Sequence, residues 1–246
     1  EIMKVIILAA GKGTRMGGDL PKVAYPFKGK TMIEHIVSKI IESGIDPKPI
    51  VVVGYKADIV QEALTDLPVS FVFQSEQKGT GHAVKVCKDS MNTNEDILVL
   101  YGDHPLVSIN TLKELEKIFE ANQPKAALIT YTLSELDDYN GSFKSFGRIL
   151  RDNNGNITGI REMKDASEQE QQIKEVNPAY YAFSGKWLWD EIDKLNTNNA
   201  QGEFYLTDLI EYAVEQKQKV ISIKGGDLKE ALGINTPEQL EFASSL

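Results

Sequence analysis

Lys12, Arg15 and Lys22 lie in or just after a glycine-bearing stretch, Leu8-Ala9-Ala10-Gly11-Lys12-Gly13-Thr14-Arg15-Met16. Glycines let a backbone turn tightly enough for successive N–H groups to face one anion, and nearby cations add charge. These residue types suit phosphate binding. The same stretch also reads as a solvated turn between a strand and a helix, and the residues alone leave both open. Two familiar phosphate loops are excluded. Met16 stands where a dinucleotide fingerprint needs its third glycine, and no glycine-lysine-serine/threonine ending is present.

A second candidate is Asp103, which follows the apolar run Ile97-Leu98-Val99-Leu100-Tyr101 and Gly102. A carboxylate at the carboxyl end of a buried strand is placed to hold magnesium, although an Asx turn uses the same residue. Its neighbour His104 is one of three histidines, with His35 and His82, and they lack zinc spacing. His104 is therefore read as a solvated or hydrogen-bonded side chain rather than a metal ligand. A third segment runs Gln74-Ser75-Glu76-Gln77-Lys78-Gly79-Thr80-Gly81-His82-Ala83. Gln74 offers both a donor and an acceptor to a base edge; the segment also reads as a helix start capped by Thr80.

These residues need a frame. Met3 to Ala10 is a continuous apolar run, as a strand buried on both faces requires. Further strands are expected at Ile50-Val53, Val69-Phe73, Ile97-Tyr101 and Ala126-Tyr131, with helical patterns at Thr31-Ser43, stopped by Gly44, and at Thr111-Asn122. Strands alternating with helices predict an α/β class with a doubly wound, mostly parallel sheet. The second half predicts a hairpin, Gly147-Arg151 and Ile157-Arg161, then a polar loop or short helix over Lys164-Gln172. A strand over Ala179-Phe183 and a helix over Trp187-Leu195 follow. The organisation expected is one domain over residues 1–246: a nucleotide-binding half to about 135, then a smaller lobe that returns to the core.

Composition narrows the partners. The 246 residues are 41% hydrophobic and 26% charged, with net charge -9, which argues against holding nucleic acid by phosphate neutralisation. No apolar run is long enough for a membrane span. Glu1-Ile2-Met3-Lys4 leads straight into a strand without a signal-peptide layout. A single cysteine, Cys87, rules out an internal disulfide and fits a reducing cytoplasm.

The first loop, followed by Asp19-Leu20-Pro21-Lys22, resembles the signature of sugar-1-phosphate nucleotidyltransferases. It is most similar to the N-terminal half of the bifunctional bacterial N-acetylglucosamine-1-phosphate uridyltransferases. The resemblance runs from about Met3 to Leu240 and includes Gly147-Arg148-Ile149, Glu162 with Lys164-Asp165-Ala166, Asn198 to Asp208, and Gly233-Ile234-Asn235. It implies transfer from UTP to N-acetylglucosamine 1-phosphate with Mg²⁺, in the supply of cell-wall precursors. By this resemblance Arg15, Lys22 and Asp103 carry the chemistry, and Asp103 and Asn235 hold the metal. Leu8, Ala9, Ala10, Gly11, Gly13, Gln74, Gly79, Thr80 and Tyr101 bind the nucleotide, while Gly147, Glu162 and Asn177 bind the sugar. The Asn198-Asp208 segment is expected to shape the acceptor pocket without chemistry of its own.

Two departures concern the acceptor end. Pro178-Ala179 replaces the family's threonine and glycine after Asn177, removing one N–H, and Thr236 replaces a second asparagine after Asn235. The β-helical acetyltransferase half of those proteins has no counterpart among these residues. Transfer to a different sugar 1-phosphate or an alcohol phosphate, and a non-catalytic nucleotide-binding regulatory domain, are the alternatives. Self-association into a homo-oligomer is left open.

Overall fold

The computed structural model describes residues 3–136 and 138–246. The start of the chain at Glu1-Ile2, on which the absence of a signal-peptide layout was read, lies outside the described residues. Ten strands form the main sheet: β1 Lys4–Leu8, β2 Ile50–Val53, β3 Ser70–Phe73, β4 Ile97–Tyr101, β5 Ala126–Thr132, β6 Gly147–Arg151, β7 Ile157–Arg161, β8 Glu175–Asn177, β9 Tyr181–Phe183 and β10 Val220–Lys224. Their spatial order is β3-β2-β1-β4-β9-β5-β8-β6-β7, with β10 beside β5.

The first four strands pair in parallel. β9 then runs antiparallel between β4 and β5, and β8 runs antiparallel between β5 and β6. This is the expected doubly wound α/β sheet, extended by an antiparallel lobe. The apolar runs are continuous because the sheet is covered on both faces. Val5, Ile7 and Ala9 of the first run pack into one core with the Met32–Ser43 and Ile109–Asn122 helices. Ile6, Leu8 and Ala10 pack into the other, with the helices Thr80–Lys85, Gly185–Glu191 and Asp208–Glu215. The period of two along a strand sends alternate side chains to opposite cores.

Local signals set the helix ends. Thr31 and Glu34 form a reciprocal capping box, and Gly44 ends the same helix at φ 76°. Ser108 caps the Ile109–Asn122 helix two residues earlier than its apolar pattern suggests. Two other expectations are corrected. Thr80 is the first helical residue and caps nothing; Gly79 precedes the helix, and Thr80 Oγ1 instead accepts the Leu206 N–H at 3.0 Å. The strand expected from Ala179 begins at Tyr181, because Ala179 adopts a left-handed φ of 68°. Among the described residues no helix is long and apolar enough to cross a membrane.

Candidate active site

The loop after β1 and the loop after β4 meet because these strands are parallel neighbours, with Leu8 opposite Tyr101. Ligand sites on such sheets sit beyond the carboxyl ends of the strands, and two cavities open there. The first, about 220 Å³, is lined by Leu8, Ala9, Ala10, Gly11, Lys22, Gln74, Gly79, Thr80, Tyr101 and Asp103 among others. The second, about 200 Å³, is lined by Gly147, Glu162, Asn177 and Asn235, and it shares Thr80 and Tyr101 with the first. Thus most of the residues expected at the nucleotide line one cavity, and those expected at the sugar line its neighbour.

Lys22 joins the two. Its Nζ donates to Asp103 Oδ2 at 2.5 Å and to Asn235 Oδ1 at 2.8 Å. Arg15 Nη2 donates to the same Asn235 oxygen at 3.1 Å. Residues distant in sequence therefore place two cations against two oxygens. Burial pushes the Asp103 carboxyl up, but the Lys22 ammonium and its hydrogen bond outweigh this and hold it below the usual carboxylate range. The Asx-turn alternative for Asp103 gives way to this ion pair. Nor does Asn235 end a helix; it precedes the Pro237–Ser245 helix, whose cap is Thr236 accepting from the Gln239 N–H.

Gly13 does not line either cavity. It lies at φ +67° beneath Lys22, where a Cβ would come within 2.4 Å of Lys22 Cβ. Gly13→Ala is expected to cost about 1–2 kcal/mol, from the left-handed backbone alone, read as a shift in urea midpoint. An unchanged midpoint would contradict this packing. Lys12, the third cation of the loop, stands apart from Arg15 and Lys22, 5.3 Å above the Tyr55 ring.

Gln74 is buried, and its Nε2 lies 2.9 Å from His82 Nδ1 and 3.4 Å from the Gly79 carbonyl. Gly79 at φ +107° lets its backbone pass against Phe204, whose carbonyl oxygen would meet a Cβ at 2.6 Å. Gly147 and Asn177 are register partners on β6 and β8. The Asn177 amide is held at both ends: Nδ2 donates to Tyr181 Oη at 2.5 Å, and Oδ1 accepts the Ala179 N–H at 3.0 Å. Glu162 Oε1 accepts from Thr207 Oγ1 at 3.1 Å. Burial, with Asp208, Asp165 and Glu203 nearby, raises its pKa against the pull of that bond.

The sequence reading did not single out Gln77, Glu203, Gln201, Tyr205 or Phe146 as site residues, yet they line the cavities. Three of them fall in the Asn198-Asp208 segment, which was expected to shape the pocket. Behind Glu162, the Asp208 carboxyl is pushed up to about 6 by burial, then by Glu211 and Asp165. The native state therefore holds a proton that the unfolded chain releases, and this group's contribution to stability falls as pH rises from about 4 to about 6. Asp208→Asn is expected to raise the thermal midpoint at pH 8 and leave it unchanged at pH 4. Equal shifts at both pH values would rule out the titration as the cause.

Residues 5–211 match the family model described as the MobA-like NTP transferase domain. The bifunctional protein GlmU of Streptococcus mutans serotype c is 45% identical over 231 residues, covering 94% of this chain and 48% of that protein. The protein of the same name from Clostridioides difficile is 40% identical over 243 residues, covering 99% of this chain and 51% of the relative. The chain thus spans about half the length of these curated relatives. In fold, it is similar to a UDP-glucose pyrophosphorylase solved with UDP-glucose, with TM-score 0.77 at 19% identity, covering 100% of this chain and 98% of that one.

Proposed function

The chain belongs to the MobA-like NTP transferase domain family, and from that premise we propose that it transfers the uridylyl group of UTP to N-acetylglucosamine 1-phosphate. The observation that carries the reading is the meeting of Lys22, Asp103 and Asn235 where two cavities adjoin. Joining two phosphorylated substrates calls for cations and oxygen donors at the point where the ligands meet. In this reading residues 1–135 serve mainly the nucleotide and 136–246 mainly the acceptor, in the cytoplasm.

An oxygen of the acceptor phosphate attacks the α-phosphorus of UTP. A new P–O bond forms, the bond from the α-phosphorus to the α,β-bridging oxygen breaks, and its electron pair leaves with pyrophosphate. The attacking phosphate is already ionised, so no side chain needs to act as nucleophile or take a proton. Lys22 and Arg15 neutralise charge on the α-phosphate and the leaving pyrophosphate. Leu8 to Gly11, Gln74, Gly79, Thr80 and Tyr101 orient the nucleotide, while Gly147, Glu162 and Asn177 orient the sugar.

The donor set suits Mg²⁺. Asp103 and Asn235 present oxygens to a cation, the Lys22 ammonium. Among the described residues no cluster of three or more His, Cys, Asp or Glu forms an alternative metal site. Mg²⁺ accepts one or two protein oxygens and keeps phosphate and water for the rest. Asp103 and Asn235 would hold it, and when bound it neutralises charge on the phosphates.

A second acceptor reading draws on Pro178 and Ala179, which line the acceptor cavity, and on the Asn177 amide, held by internal hydrogen bonds. Pyrophosphate release with Mg²⁺, UTP and a panel of sugar 1-phosphates separates the two. Release with N-acetylglucosamine 1-phosphate alone supports the full assignment. Release only with another acceptor keeps the reaction and changes the sugar, and silence across the panel favours a binding domain.

A further inference from the structure

His104 has no role in the chemistry above, yet it is 5% exposed and sits where four segments cross. Its ring packs edge-on against Tyr101 and Tyr180, with centroids 6.3 and 5.5 Å away, and against Phe146 at 6.0 Å. On its fourth side is Gly233, where a Cβ would lie 2.8 Å from His104 Nε2. Nδ1 is 3.2 Å from Tyr180 Oη.

The direction of that bond follows from Tyr180. Its hydroxyl has one proton, which it donates to the Glu230 carbonyl, a group that can only accept. Tyr180 Oη therefore accepts from the His104 Nδ1–H, while Nε2 lies 3.6 Å from Asp103 Oδ1. The chain His104–Tyr180–Glu230 ties the segment after β4 to the segment that leads into Asn235. A second tie runs alongside it, from the Ile234 N–H to the Asp103 carbonyl at 2.9 Å.

We propose that His104 is a positioning residue: through Tyr180 it sets the spacing of Asp103 and Asn235, the two oxygen donors at the cation. The inference rests on the cation reading under Proposed function. The Ile234 bond and a bond from the Ser108 N–H to Glu230 Oε2 at 3.3 Å also hold the 230–235 segment; the His104–Tyr180 link adds the tie that starts beside Asp103. A side chain that acts by orienting metal ligands commonly changes metal affinity by about tenfold or more when it is lost.

His104→Phe keeps a ring against Gly233 and deletes the link, and Tyr180→Phe deletes it from the other side. The probe is Mn²⁺ binding to the full chain with a non-hydrolysable α,β-methylene analogue of UTP, followed by electron paramagnetic resonance. Each variant is expected to weaken Mn²⁺ binding about tenfold. The double variant is expected to be no weaker than Tyr180→Phe alone, because that variant already removes the whole His104–Tyr180–Glu230 chain. Binding equal to the unmodified chain, or losses that multiply in the double variant, would overturn the inference and leave the cation reading standing. If the unmodified chain binds no Mn²⁺, the cation reading fails. The inference, which concerns the spacing of the donors at that cation, then falls with it.

Discussion

Asp103→Ala is expected to lower turnover at saturating UTP and acceptor by roughly a hundredfold or more, equivalent to several kcal/mol of transition-state stabilisation. The carboxylate is nearly buried, is held ionised by Lys22 at 2.5 Å, and faces the nucleotide cavity. Its removal takes away one of the two oxygens that would hold the cation and leaves the Lys22 ammonium with Asn235 Oδ1 alone. The fold should survive, since the strand end is also secured by the Ile234 N–H to Asp103 carbonyl bond. Steady-state rates beside a thermal melt check both halves of the expectation. A variant that melts normally and turns over near the original rate would remove Asp103 from the chemistry.

The second large effect is expected at Lys22. Lys22→Met keeps the length of the stem and deletes the charge, and kcat/KM should fall by about a hundred- to a thousandfold, as for loss of one preorganised donor to a developing charge. The loss should appear in kcat as well as KM, because the charge on the leaving pyrophosphate develops in the transition state. Lys22→Arg is not expected to restore it. A planar guanidinium fork does not reproduce a compact ammonium set 2.5 and 2.8 Å from two separate oxygens. Full activity in Lys22→Arg would mean that charge alone suffices and that the observed geometry is incidental.

Much of this frame was legible because its signals are local. Ile50–Val53 and Ile97–Tyr101 are short apolar runs with the bounds expected of them, and the hairpin strands at 147–151 and 157–161 fall where the turn at Asp152-Asn156 requires. Strands β8 and β10 were not read as strands. Glu175–Asn177 is three residues long, and Val220–Lys224 is only partly buried, so neither carries a strong periodic pattern. The meeting of Lys22 with Asn235 depends on the whole path of the chain and was not expected; the resemblance paired Asn235 with Asp103, which spacing could not do. Thr80 misled as a cap because its true partner, the Leu206 N–H, is far away in sequence. His104 was read as solvated or hydrogen-bonded, and it is buried and hydrogen-bonded; its place between Tyr180 and Gly233 depends on tertiary packing that periodicity does not encode.

The central claim is direct uridylyl transfer to a sugar phosphate oxygen. It is tested most directly with N-acetylglucosamine 1-phosphate whose non-glycosidic phosphate oxygens are ¹⁸O, incubated with UTP, Mg²⁺ and the full chain and read by mass spectrometry. The account predicts that the UDP-sugar retains every labelled oxygen and that the pyrophosphate carries none. Label in the pyrophosphate, or no labelled UDP-sugar at all, would contradict it.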